Sequence, residues 1–228
     1  MTEPAVSKKL VWDQTGERMY ETGTDHGVMY PSDGEGGYEA GVVWNGLTGV
    51  SENPEGAEAN DLYADNIAYA SLRSAEKFKF TIEAYMYPPQ FAVCDGTEEP
   101  VTGVYLGQQS RKPFGFCYRT KIGSDTHTDA DAGYKLHIIY NATAAPSEKS
   151  YETINDSPDA ITFSWECDSL PVPCTGFKPV SSIVIDSTKV DAEKLGDLED
   201  LLYGTDNTDP ELPDPDTVLE TLGYTSGD

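Results

Sequence analysis

From Lys77 to Tyr87 the chain alternates strictly. Phe78, Phe80, Ile82, Ala84 and Met86 fall on one side; Lys77, Lys79, Thr81, Glu83 and Tyr85 fall on the other. A period of two is the signature of a strand with one buried face, and Pro88-Pro89, unable to donate to a ladder, ends it. The same texture predicts strands over Phe114–Lys121, Tyr134–Tyr140 and Ile161–Cys167, and a last one at Ile183-Val184-Ile185 behind Pro179. Residues 89–95 read as one short helix closed by Gly96. Upstream, Met19-Tyr20 and Val28-Met29-Tyr30 read as the two short strands of a hairpin or extended arm, and Trp44 and Leu47 anchor an apolar stretch from Gly41 to Ser51. Between Glu52 and Asn66 stand five acids and no base, read as a charged loop leading to a strand near Ile67–Leu72.

After Asp186 the period changes. Leu195, Leu198, Leu201 and Leu202 recur at helical spacing. Thr188 followed by Asp191 resembles a capping box, and Gly204 is placed to stop the helix. Asp214-Pro215 forms an N-cap and first-turn pair for a second short helix carrying Val218, Leu219 and Leu222. The expected fold is therefore mainly β: a β-sandwich or split barrel of antiparallel strands with one short helix, plus a helical C-terminal extension. The expected division is a β-domain over 1–186, with an N-terminal arm or hairpin and the acidic loop 52–66, followed by an acidic extension over 187–228. With its Pro- and Asp-rich connector, the part from 205 onward holds little apolar surface, so it is expected to pack peripherally or stay mobile.

Charge adds a constraint. Forty acids against 15 Lys and Arg give a formal net charge of −25. Residues 186–228 hold thirteen acids and two lysines, so −14 remains on the β-rich part and the charge is not merely a tail. Acid laid over alternating strands describes a folded surface that repels nucleic acid and other polyanions. The N-terminal residues lack the apolar stretch of a signal peptide and no apolar run approaches the length of a membrane span, so a cytoplasmic site of synthesis, with no membrane, is the expectation.

Chemistry-bearing residues form no catalytic set. Cys94, Cys117, Cys167 and Cys174 make no CxxC pair, which favours reduced structural thiols, with a Cys167–Cys174 disulfide as the rival. His26, His127 and His137 are scattered without a recognised motif, and His137, on the Lys135 face of its strand, reads as solvated or interfacial. With so many acids, a hydrolytic carboxylate pair can be drawn anywhere and none is singled out. Residues 125–133 resemble a calcium loop but lack its third acid and closing Glu, so a solvated turn is the simpler reading; no metal and no cofactor is expected. Two sets of opposite sign remain: the acids Glu52, Glu55, Glu58, Asp61 and Asp65, and the bases Arg111, Lys112, Arg119 and Lys121. They are the candidate inter-subunit residues, in which charge pairs set register more than affinity.

Several stretches together resemble the major tail tube proteins of long, non-contractile-tailed bacteriophages. They are Gly37-Tyr38-Glu39-Ala40-Gly41-Val42, Asn53-Pro54-Glu55-Gly56, Leu62-Tyr63-Ala64-Asp65-Asn66, the Phe80–Tyr85 strand, and the end of the short helix at Gly96. Above all they include Thr175-Gly176-Phe177-Lys178-Pro179 with Ile183–Thr188, and Leu198–Gly204 with Leu212-Pro213-Asp214-Pro215. The resemblance runs from about residue 16 to 223, and this chain is more acidic in its N-terminal half than the pattern. It implies a non-enzymatic virion protein assembled in the host bacterial cytoplasm into six-fold rings. Those rings share an inner β-barrel and stack into a hollow tube through which DNA passes without binding. Its implied partners are further copies of itself, the tape measure, the tail tip and the tail terminator. The alternative is a carbohydrate- or calcium-binding β-sandwich module without catalysis.

Overall fold

Two strands in the middle of the chain are buried on both faces, and the fold is organised around them. In chain order the elements are β1 (Met19–Pro31), β2 (Val42–Val43), β3 (Leu47–Glu52), β4 (Glu55–Gly56), β5 (Ala59–Ala64), β6 (Ile67–Arg73) and β7 (Glu76–Ala84). A 3-10 turn (Pro89–Val93) follows, then β8 (Glu98–Val101), β9 (Val104–Leu106), β10 (Phe114–Ser124), β11 (Gly133–Ala144), β12 (Phe163–Ser169), β13 (Ser182–Asp186), α1 (Ala192–Tyr203) and α2 (Pro215–Thr221). The computed structural model describes residues 9–56, 58–126, 132–151, 153 and 160–225.

The main sheet is antiparallel and runs β2-β1-β10-β11-β12-β7-β3, with β13 added on β11 and β4 on β7. Its two end strands, β2 and β3, are consecutive in the chain, so the sheet must curl until its ends approach. Trp44 sits in the gap. Its backbone N–H donates to Gly27 O at 2.8 Å and its indole donates to Met86 O at 3.0 Å, one bond to each side of the split. The protein is thus mainly β, a split barrel with two short helices, as the alternation led one to expect. The interior is aromatic: the Trp44 ring lies 4.6 Å from Phe91, 5.5 Å from Trp165 and 5.6 Å from Phe116, mostly in the edge-on geometry such rings prefer.

On the outer face of β1, β10 and β11 lies a second core: Val28, Tyr30, Cys117, Leu136, Ile138 and Tyr140 meet α1 and α2. Alternation explains the sharing. Phe114, Phe116 and Tyr118 of β10 point into the barrel while Cys117 points to the helices. One residue breaks this order on β11. Ile139 faces the barrel, Tyr140 faces the helices, yet Ala142 and Ala144 face the barrel again. Asn141, with φ 47°, is the bulge that absorbs the extra residue, and the partner of β11 changes there from β13 to β12.

The structure corrects several expectations. Met19–Tyr20 and Val28–Tyr30 are not a hairpin: they are one strand, β1, bent by bulges between Thr22 and Thr24 and between Asp25 and Val28. Met86 is exposed, because β7 stops at Ala84 and the Tyr85 N–H turns to Gly46 O. The first helix is capped by Asp191, whose carboxylate accepts from the N–H groups of Glu193 and Lys194, and not by Thr188. Asp214 caps α2 through Thr217 N–H, with Pro215 in the first turn, as expected. The connector and last helix are not peripheral. Leu212 and Val218 are buried beside the sheet, and the hydroxyls of Tyr30 and Tyr140 donate to Leu202 O and Pro213 O. Gly115 makes the room: a Cβ there would lie 2.1 Å from Leu212 Cδ2.

Candidate assembly interface

The acidic stretch 52–66, expected as a loop, is mostly strand. Beyond the root of β3 and the short β4, β5 rises away from the barrel and β6 returns, pairing only with each other. Asp65 and Asn66, at φ 50° and 64°, make the tight turn between them, a pair of left-handed positions that suits the twist of a two-residue hairpin. Leu62 opposes Ala70, Asn60 opposes Leu72, and Ala64 opposes Ile67. One face of the arm is therefore apolar, and Leu62, Ile67 and Leu72 on it are exposed. Glu58, Asp61 and Asp65 are exposed as well and form no ion pair among the described residues.

Glu52 and Glu55, the remaining acids of the set, are used at the root. The Tyr118 hydroxyl donates to Glu52 Oε1 at 2.7 Å, and His137 Nδ1 lies 3.3 Å from the same oxygen. The His137 ring stacks on Tyr118 at 4.5 Å and its Nε2 is 3.1 Å from Thr120 Oγ1. Expected to be solvated or interfacial, this histidine is packed, with 11% of its side chain exposed. The nearby His137 imidazole, with the hydrogen bond from Tyr118, holds the Glu52 carboxyl below the usual carboxylate range against the opposing effect of burial. Glu55 pairs with Lys79 at 2.8 Å, and Lys79 also reaches Asp168 at 3.7 Å.

The basic set divides in the same way. Arg119 spends its charge inside its own chain. Its Nε lies 3.2 Å from Asp25 Oδ1, its Nη1 3.7 Å from Glu199 of α1, and its guanidinium 4.6 Å over the Tyr134 ring. His26 Nδ1 stands 2.8 Å from Asp25 Oδ1 and 2.7 Å from Arg119 Nη2, so one ring nitrogen serves either partner but not both at once. Burial works to raise the Asp25 carboxyl, but the bonds from His26 and Arg119 and the nearby charge bring it below its ordinary value. Arg111 donates to Ala144 O at 3.1 Å and pairs with the buried Asp95 at 3.4 Å. Lys112 and Lys121 remain exposed, Lys121 3.8 Å from Asp25. Among the described residues the two sets form no ion pair with each other: Glu55 pairs with Lys79, Arg111 with Asp95 and Arg119 with Asp25 and Glu199, while Glu52 meets Tyr118 and His137.

A feature the sequence reading passed over is the β8–β9 hairpin, whose Val101, Val104, Tyr105 and Leu106 are exposed. Its signal was Thr102-Gly103 between two short apolar runs, with Gly103 at φ 82°. All four cysteines are free and buried, and burial pushes the thiols of Cys94 and Cys117 up to about 12, so neither offers a thiolate. No group of three metal-binding side chains occurs among the described residues, and none of their helices is long and apolar enough to cross a membrane. The calcium-loop alternative falls largely on 127–131, outside the described residues.

No known family model matches the sequence, and no curated protein matches it. Among solved structures the chain is similar to a chain of the sheath–tube complex, in its extended state, of an extracellular contractile injection system. The two share 11% identity and a TM-score of 0.29, over 71% of this chain and 88% of that one. A likeness at that level decides neither fold nor function.

Proposed function

We propose that the protein is a structural subunit that polymerises, the repeating unit of a phage-type tail tube, without catalytic activity. The observation that carries this reading is the β5–β6 arm. The barrel and the helical layer each have a buried core, whereas the arm pairs only with itself and leaves Leu62, Ile67 and Leu72 uncovered on one face. An isolated two-stranded hairpin is marginal in water, and an exposed apolar face of this kind marks a protein contact. The split-barrel fold and the stretches resembling the tail tube family favour stacked hexameric rings as the form of that contact. The net charge of −25 fits a conduit whose wall repels the phosphates moving through it. In this reading the chain resides in a virion tail, assembles in the host cytoplasm, and meets the tape measure, tail tip and tail terminator. The exposed acids that form no ion pair among the described residues, Glu58, Asp61 and Asp65, and the exposed bases Lys112 and Lys121 are then those available to neighbouring subunits.

Negative-stain microscopy and size-exclusion chromatography at rising concentration test the proposal. Rings or tubes are expected from the wild type, alone or with a tail-tip nucleator. Ile67→Asp should remain monomeric with the melting temperature of the parent, because its side chain touches no core. A wild type that stays monomeric with the nucleator present overturns the reading.

A further inference from the structure

We infer that, in the assembly just proposed and resting on it, the apolar face of the β5–β6 arm is covered by the Leu10–Trp12 segment of a neighbouring copy. Leu10, Val11 and Trp12 are exposed, as are Leu62, Ile67 and Leu72 of the arm. Neither patch covers the other within one chain, so a contact between them joins two copies. In an extended segment Leu10 and Trp12 fall on the same side, which presents two large apolar groups to the arm. Charge selects this occupant. Lys8 and Lys9 directly precede Leu10, while the arm carries Glu58, Asp61 and Asp65. Another uncovered apolar element, the β8–β9 hairpin, begins with Glu98-Glu99 and would bring acid against acid, which an interface selects against. Because the two patches differ, their contact is head-to-tail, the kind that propagates into rings or filaments instead of closing a dimer.

The test uses full-length chains carrying one new cysteine each. Leu10→Cys chains are mixed with Ala70→Cys chains, Ala70 lying on the apolar face opposite Leu62, and are oxidised under assembly conditions. The native thiols are buried and slow to react. A disulfide-linked dimer on a non-reducing gel is expected from this pair, since a bridge needs Cβ atoms about 4 Å apart, and not from Val104→Cys mixed with Ala70→Cys. Trp12→Ala should raise the concentration at which polymers appear by about tenfold, as loss of an aromatic anchor does, without moving the melting temperature of the monomer. Polymers that form with no 10–70 link and are indifferent to Trp12→Ala overturn the inference and leave the tube reading standing, as does a link through residue 104. If the wild type forms no polymer under any condition, the tube reading itself fails, and the contact with it.

Discussion

The Tyr118 hydroxyl donates to Glu52 Oε1 at 2.7 Å across 66 residues of sequence. Glu52 is the last residue of β3 before the chain leaves for the arm, and Tyr118 belongs to β10, whose inward face lines the barrel. One hydrogen bond to an ionised group therefore ties the root of the exposed arm to the most buried wall of the fold. His137 closes the arrangement by stacking on the tyrosine and facing the same oxygen.

This tie has a pH signature. The folded Glu52 carboxyl is depressed, so its contribution is fully present above the unfolded value near about 4.3 and is lost as pH falls through the lower folded value. In urea titrations at stepped pH, Glu52→Gln should flatten the acid limb of the stability curve below about pH 4.3. Tyr118→Phe should lower stability at neutral pH by about 1–2 kcal/mol, the range for a hydrogen bond to a charged group. An acid limb unchanged by Glu52→Gln counts against the role given to the pair.

Arg119 is a structural residue before it is an interface residue. Arg119→Ala removes the shared cation of Asp25 and Glu199, and should cost about 2 kcal/mol, less than breaking a fully buried pair. Lys121→Glu, at an exposed position, should leave the urea midpoint within about 0.5 kcal/mol. Only the second variant is therefore suited to probing assembly, and equal destabilisation by both would refute this division.

The C-terminal helix completes the second core. A chain ending at Gly204 loses Leu212 and Val218 and uncovers Tyr30 and Tyr140, so its cooperative melting transition should disappear. Leu212→Ala is the milder probe, expected to cost about 2–4 kcal/mol. Gly115→Ala should destabilise in the same direction, by driving a methyl into the site of Leu212. A truncated chain that melts cooperatively at the parental temperature would show the helix to be dispensable.

The bulge at Asn141 depends on a left-handed backbone. Asn141→Ala should cost about 1 kcal/mol, and Asn141→Gly should be nearly neutral, because only the alanine Cβ opposes φ 47°. Equal urea midpoints for the two variants would indicate that the strand has shifted register instead.

Most of the strands could be read directly. Phe78, Phe80, Ile82 and Ala84 show their buried face because β7 has one face in the barrel and one outside, so alternation survives in the residue types. β11 was legible only as a strand. Leu136 and Ile138 face the helices while Ile139 faces the barrel, and the frame slips at Asn141, so no single period describes it. The second strand of the arm was legible near Ile67–Leu72 and is found at Ile67–Arg73, but the first misled for the opposite reason. Its polar and acidic residues read as loop, since a hairpin with no core of its own leaves few large apolar positions to mark a period.

Residue type, spacing and charge sufficed for the β class, the two helices, their Asp214 and Gly204 punctuation and the acid excess, because each depends on near neighbours in the chain or on composition alone. Which charges are free for other molecules depends instead on distant pairings. Arg119 and Lys121 are two residues apart on one strand. Asp25 of β1 and Glu199 of α1 enclose the first and leave the second exposed. Glu52 and Asp61 likewise look alike in sequence, and only the packing of Tyr118 and His137 gives the first partners within its own chain. Burial and partnership are set by which strands lie side by side in the closed sheet, and that order is a property of the tertiary fold.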